Sequence, residues 1–299
     1  MPLPNAKEPI RLYGNEQRTD LKLLTATLIK RAKKSICLAT YQFRDQEIIS
    51  LLNNRASEGL KITVYTHHKG YKPKFHPSIS YQRIKTSGLM HEKILLIDNK
   101  LSLLGSANMT KESLRMHRNL MVGFYSKELN HSLRIHLENL PEKRLPETFI
   151  IGNQQLDLYY LPNRKVPAIL DCLIRRKQKD LRAAMFTLTH PLLTEALAKH
   201  PHAKIAVDHY TARGSSKKSF NQIPDAYESR GLELLHHKFC LLNKKTLIFG
   251  SANWTKSAFE KNRDYVMIIH KLNKKQSKLL KKLTTTIIYE SKHKTDPCI

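Results

Sequence analysis

Apolar positions along the chain gather into short runs of strand length, and longer segments with apolar residues at helical spacing separate those runs. Ile36 to Phe43, Lys61 to Thr66 and Leu120 to Tyr125 read as strands, with an opening strand at Arg11 to Asn15. Helices are expected at Gln46 to Asn53 and Lys127 to Leu140. The same order then returns: strands at Asp157 to Leu161, Leu181 to Leu188, Lys204 to Val207 and Tyr265 to His270, helices at Leu192 to Lys199 and Lys274 to Ile288. Strands alternating with helices predict an α/β fold, with mixed, largely parallel sheets covered by helices.

The recurrence is a duplication. Met90 to Thr110 reads MHEKILLIDNKLSLLGSANMT, and Leu235 to Thr255 reads LHHKFCLLNKKTLIFGSANWT, aligned without a gap at an offset of 145 residues. Because the flanking strands and helices match as well, the unit repeated is a half-domain rather than a motif. The proline- and charge-rich segment Leu140 to Glu147 is the expected junction, dividing the chain into halves 1–145 and 146–299. Lys69 to Ser80 and Thr211 to Asp225 read as loops just upstream of the two motifs, placed to form opposite lips of one cleft.

The chain has 299 residues, 40% of them hydrophobic, enough to bury a core. Lysine and arginine total 52 against 25 acidic residues, a formal charge of +27. That excess points to a polyanionic partner, nucleic acid or an anionic membrane surface, and charge alone does not choose between them. Cys37, Cys172, Cys240 and Cys298 form no close pair and read as core residues or bystanders, not a disulfide framework or zinc site. No run of about 18 apolar residues predicts a transmembrane helix. The opening residues lack the apolar core of a secretion signal, which supports a cytoplasmic location; a secreted chain with its signal removed reads the same way.

Both motifs present His-x-Lys at the head of a strand, so His91 and Lys93, like His236 and Lys238, project to one side and can address one phosphate. The lysines would neutralise charge building on the phosphoryl oxygens. Ser106, Asn108, Ser251 and Asn253 are candidate phosphate donors, and Gly105 and Gly250 would let backbone approach the ligand. Imidazole attack on phosphorus gives a phosphohistidine, while the second imidazolium protonates the leaving oxygen. No cluster of Asp and Glu with metal-ligand spacing flanks either motif, so no catalytic cation or other cofactor is expected.

His91-x-Lys93, Asp98, Gly105-Ser106-x-Asn108 is the signature of the phospholipase D superfamily, and His236-x-Lys238, Asn243, Gly250-Ser251-x-Asn253 resembles it at all but the acidic position. The resemblance covers nearly the whole chain. It implies a pseudo-twofold pair of half-domains with one active site on the internal axis, complete without a partner protein. Half-domains of this size resemble the small bacterial endonucleases of the family most. An Asn at the position of Asn243 resembles the tyrosyl-DNA phosphodiesterase branch. The family usually places a carboxylate downstream that orients the catalytic histidine, and alignment from GSAN sets Asp264 opposite Asn119. If each supports the histidine of its own half, Asp264 makes His236 the protonated acid, and Asn119 leaves His91 neutral and nucleophilic. His67, His68, His117, His200, His202 and His237 read as solvated or loop residues. The leading expectation is a metal-independent nuclease acting through phosphohistidine on DNA or RNA. The alternatives are a phospholipase D and an inactive nucleic-acid-binding protein.

Overall fold

The computed structural model describes residues 1–17, 19–139, 144–176 and 179–295. Its first sheet holds β1 (Ile10–Gly14), β2 (Ser35–Thr40), β3 (Lys61–His67), β4 (Ser80–Ile84), β5 (Lys93–Ile97), β6 (Leu101–Gly105) and β7 (Leu120–Tyr125), in the order β1-β7-β6-β5-β2-β3-β4. The second holds β8 (Glu147–Ile151), β9 (Gln154–Leu161), β10 (Leu181–Met185), β11 (Ala203–Asp208), β12 (Ala226–Ser229), β13 (Lys238–Leu242), β14 (Thr246–Gly250), β15 (Asp264–Ile269) and β16 (Ser291–His293). Its order, β16-β12-β11-β10-β13-β14-β15-β9-β8, repeats the first sheet's with one strand added at each edge.

The α/β fold with two mixed sheets is as expected, but the sheets are not largely parallel. Only β2–β3–β4 and β10–β11–β12 pair in parallel; every other neighbour is antiparallel. The reason lies in the motif: a short turn joins β5 to β6 and β13 to β14, and a short connection of that kind can only reverse the chain.

Strand residues alternate between two buried layers. In β5, Ile94 and Leu96 enter a central core that also takes Phe239 and Leu241 from β13, whereas Leu95 and Ile97 face the first half's outer helices. Phe124 stacks on Phe249 across the centre, ring centroids 6.4 Å apart. Both faces of the central strands are therefore buried, which explains unbroken apolar runs such as Ile94-Leu95-Leu96-Ile97. Helices Lys127–Glu138 and Lys274–Tyr289 supply leucines to the central core, and the latter exposes its lysines.

Pairing also sets direction. The C-terminal ends of β2, β3, β10 and β11 lie at the same end of their sheets as the starts of β5 and β13, because β2 pairs antiparallel to β5 with Thr40 opposite Lys93, and Met185 faces Lys238 likewise. Loops following those strands therefore collect around both His-x-Lys segments. The stretch Thr211 to Asp225, expected as a loop, instead carries helices His209–Arg213 and Lys217–Gln222. Residues 140–143 of the expected junction, and Cys298, lie outside the described residues. Among those described, Cys37 and Cys240 are buried free thiols, and no helix is long and apolar enough to cross a membrane.

Candidate active site

Each motif is anchored by the other half. His91 N–H donates to the Arg263 carbonyl (2.8 Å), and His236 N–H donates to the Arg118 carbonyl (2.9 Å). Met90 and Arg263 form an isolated bridge, matched by Arg118 and Leu235 at the same 145-residue offset. The two His-x-Lys segments thus meet across the pseudo-twofold, and His91, Lys93, His236 and Lys238 are all buried.

The supporting residues cross over too, which corrects the in-half pairing expected above. Asp264 Oδ1 bonds His91 Nδ1 at 2.8 Å, and Asn119 Oδ1 bonds His236 Nδ1 at 3.0 Å. The strands explain it: Asn119 and Asp264 follow Arg118 and Arg263, whose carbonyls already hold the opposite motif. Asn119 Nδ2 donates to the carbonyls of Ser113 (2.8 Å) and His117 (3.3 Å), which can only accept, so its Oδ1 faces His236 and Nδ1 of that ring carries a proton. Burial disfavours the Asp264 carboxylate, yet the charges of His91 and Lys93 with hydrogen bonds from His91 and Ser251 hold its pKa below the usual value. Both imidazoles are therefore Nδ1–H tautomers, and among the described residues neither Nε2 atom has a hydrogen-bond partner.

Ser106 and Ser251 are not placed as phosphate donors. Their hydroxyls donate to Asn119 Oδ1 (2.7 Å) and Asp264 Oδ1 (2.6 Å) and brace those residues from behind. Asn108 and Asn253, the other expected donors, are half-buried, and among the described residues neither Oδ1 has a hydrogen-bond partner. Gly105 and Gly250 serve packing instead of ligand approach, since a Cβ there would collide with the carbonyl of Leu120 or Tyr265 on the neighbouring strand.

Asp98 and Asn243 lie at the far ends of β5 and β13. Each has positive φ in a tight turn. Asp98 Oδ1 accepts from the backbone of Lys33, Lys34 and Ser35 (3.0, 2.7 and 3.1 Å), and Asn243 Oδ1 accepts from Lys179 and Asp180 (2.7 and 3.2 Å). The turn needs an acceptor that tolerates the left-handed region, and either residue qualifies. Asp180 occupies the place of Ser35, and its own carboxylate pairs with Arg182 and Lys244.

Lys93 and Lys238 each donate to the carbonyl of the histidine two residues before, at 2.5 and 2.9 Å. Burial pulls Lys93 down to about 7, against Asp264 and Glu92. His91 falls to about 4, chiefly by burial, with Asp264 opposing and both lysines adding. His236 and Lys238 are also lowered, by burial first and then by neighbouring positive charge. Four basic groups share a site whose one directly bonded carboxylate is Asp264, so the free site disfavours their charged forms and an anion placed among them would favour those forms.

Several neighbours escaped sequence reading. Tyr41 and Phe186, again 145 apart, wall the site: Tyr41 lies 5.4 Å from the His91 ring and Phe186 5.0 Å from that of His236. His67 is buried and accepts from Met90 N–H (3.3 Å); in the second half Asp208 accepts from Leu235 N–H (3.0 Å). His117 comes within 6.2 Å of the His236 ring. His237, far from solvated, is fully buried on Glu16 (2.7 Å), mirroring Glu92 on His136 (2.6 Å). His200 is buried as well. The repeated offset was the signal for Tyr41 with Phe186, and for Arg118-Asn119 with Arg263-Asp264.

Two histidines flanked by buried lysines and held reciprocally by two repeats form one site of the two-motif kind. The family model "Cardiolipin synthase, PLD-like domain" matches residues 25–140 and 159–287, and the chain belongs to the phospholipase D superfamily. Cardiolipin synthase 1 of Bacillus anthracis is 28% identical over 153 residues, 46% of this chain and 30% of that protein. The mitochondrial cardiolipin hydrolase of Mus musculus is 50% identical over 38 residues, 13% of this chain and 17% of that protein. These alignments span less than a third of the curated relatives' length. Phosphatidylserine synthase of Haemophilus influenzae Rd KW20 shares the fold at a TM-score of 0.76 and 13% identity, covering 97% of this chain and 88% of that one.

Proposed function

We propose that the protein hydrolyses or transfers phosphatidyl groups of phospholipids through a phosphohistidine on His91. The observation that carries the chemistry is the exchanged pairing, Asp264 on His91 and Asn119 on His236. With its Nδ1 proton held by a carboxylate, His91 presents an Nε2 lone pair, and Asp264 offsets the positive charge that the ring gains on bonding phosphorus. Binding of the phosphodiester anion offsets the burial and lysine charge that lower the His236 pKa, so that ring enters the complex with a second proton, on Nε2. As the N–P bond forms, the P–O bond to the leaving alcohol breaks, and that oxygen takes this Nε2 proton of His236. A ring supported only by the neutral Asn119 releases its proton more readily than one paired to a carboxylate. Water or a second alcohol then gives its proton back to His236, attacks phosphorus and expels His91. Lys93, Lys238, Asn108 and Asn253 hold the non-bridging oxygens.

This reverses the order of the two substrate readings drawn from the sequence. A net +27 suits an anionic bilayer as well as a nucleic acid, and the relatives named above carry phospholipid activities in their names. A nuclease remains the second reading, favoured by the same charge. Both histidines come from one chain, so no partner protein is needed to complete the site.

The test offers purified protein phosphatidylcholine and phosphatidylglycerol vesicles, single- and double-stranded DNA, and RNA, all in EDTA. Release of headgroup, or its exchange for an added alcohol, abolished in His91→Ala and in His236→Ala, is the expected result. Cleavage of nucleic acid with no lipid turnover would replace it with the nuclease.

A further inference from the structure

Half of the large apolar side chains exposed among the described residues stand at the catalytic end, Tyr71, Leu89, Met116 and Leu232 on loops and Tyr210 on the short helix His209–Arg213. Leu89 lies two residues before His91, and its N–H bonds Asn262 of the other half at 3.0 Å. Met116 precedes His117, whose ring lies beside His236. Leu232 is as exposed as in an extended chain, at 106%, on the loop whose Leu234 carbonyl takes the Arg118 N–H. Both halves therefore project apolar tips around one pair of histidines, where a monomeric enzyme with a soluble substrate gains nothing from them.

Two stretches beside those tips are basic. From His67 to Met90 there is no carboxylate, while Lys69, Lys72, Lys74, Arg83 and Lys85 are all exposed. From His209 to Ile223 the pattern recurs, with Arg213, Lys217 and Lys218 exposed and no acidic residue. Aliphatic tips such as Leu89, Met116 and Leu232 give nucleotide bases no platform for stacking, but partition readily into the headgroup–acyl boundary while lysines meet lipid phosphates.

We infer that this rim is a membrane-docking face: the protein seats its catalytic end on an anionic bilayer, with Leu89, Met116, Leu232 and Tyr210 entering the interface and the lysine-rich loops holding headgroups. The inference rests on the phospholipid reading of the site and gives it a geometry, in which the cleft opens onto the lipid surface.

The experiment uses the full chain with one reporter tryptophan added to the buried Trp254. Leu232→Trp should shift its emission to the blue and be quenched by bromolipid in vesicles of phosphatidylcholine with phosphatidylglycerol. Ile150→Trp, exposed on β8 at the opposite end, should do neither. The variant Leu89→Ser/Met116→Ser/Leu232→Ser should bind those vesicles about tenfold more weakly or worse while keeping its melting temperature. No blue shift at position 232, equal shifts at 232 and 150, or unchanged binding by the triple variant overturns the docking face. So does loss of oligonucleotide binding with vesicle binding intact, which would assign the rim to nucleic acid. Docking without lipid turnover defeats the proposed reaction and leaves the face standing; turnover of short-chain phospholipid without docking does the reverse.

Discussion

Asp264, on the first residue of β15, holds the imidazole of His91 from the other half of the molecule, Oδ1 to Nδ1 at 2.8 Å. Its counterpart Asn119 holds His236. Neither half supports its own histidine, and the acid–amide asymmetry passes from one repeat to the histidine of the other.

Asp264→Asn removes the charge that opposes the lowering of the His91 pKa. The limb of the pH–rate profile belonging to His91 should move to lower pH, and kcat should fall about 100-fold as the Nδ1–H tautomer loses its fixed acceptor. Acid quench during turnover should leave phosphate on His91. Phosphate on His236, or movement of the other limb alone, would reverse the roles.

Lys93 sits near 7 in the free site because burial outweighs Asp264 and Glu92. An anion raises that pKa on binding, so the complex takes up a proton whenever Lys93 is neutral beforehand. Affinity for inorganic phosphate or vanadate should therefore be level below about pH 7 from this group and weaken above it, approaching tenfold per pH unit. Calorimetry in buffers of different ionisation enthalpy reads the proton uptake directly. Affinity constant from pH 7 to 9 would contradict a neutral lysine.

His237→Ala leaves Glu16 buried without its partner, whereas an exposed histidine would be dispensable. Breaking such a buried pair costs about 3 kcal/mol, and the loss should appear as a lowered denaturation midpoint. Replacing both partners, His237→Leu with Glu16→Leu, should recover part of it.

The turn residue Asp98 tests the division between structure and chemistry. Asp98→Asn keeps an acceptor for Lys34 N–H and tolerates positive φ, so both stability and turnover should stay close to those of the parent. Asp98→Ala loses both properties and should cost about 1–2 kcal/mol in chemical denaturation. A large loss of kcat in folded Asp98→Asn would mean that the aspartate acts on the site after all.

The duplication, the strand and helix types and the two His-Lys pairs were legible because each is local: spacing within a strand and a constant offset between repeats survive in one dimension. Apolar runs buried on both faces, such as β5 and β13, looked the same whether their neighbours ran parallel or antiparallel, so sheet direction was misread until the short β5–β6 turn was placed in three dimensions. Alignment likewise set Asp264 beside the second motif and Asn119 beside the first. Only tertiary structure revealed the exchange, because backbone bonds from Arg263 to His91 and from Arg118 to His236 cross an axis the sequence does not contain. Burial of His237 and the turning of Ser106 and Ser251 toward Asn119 and Asp264 were decided the same way, by which atoms packing brought within reach.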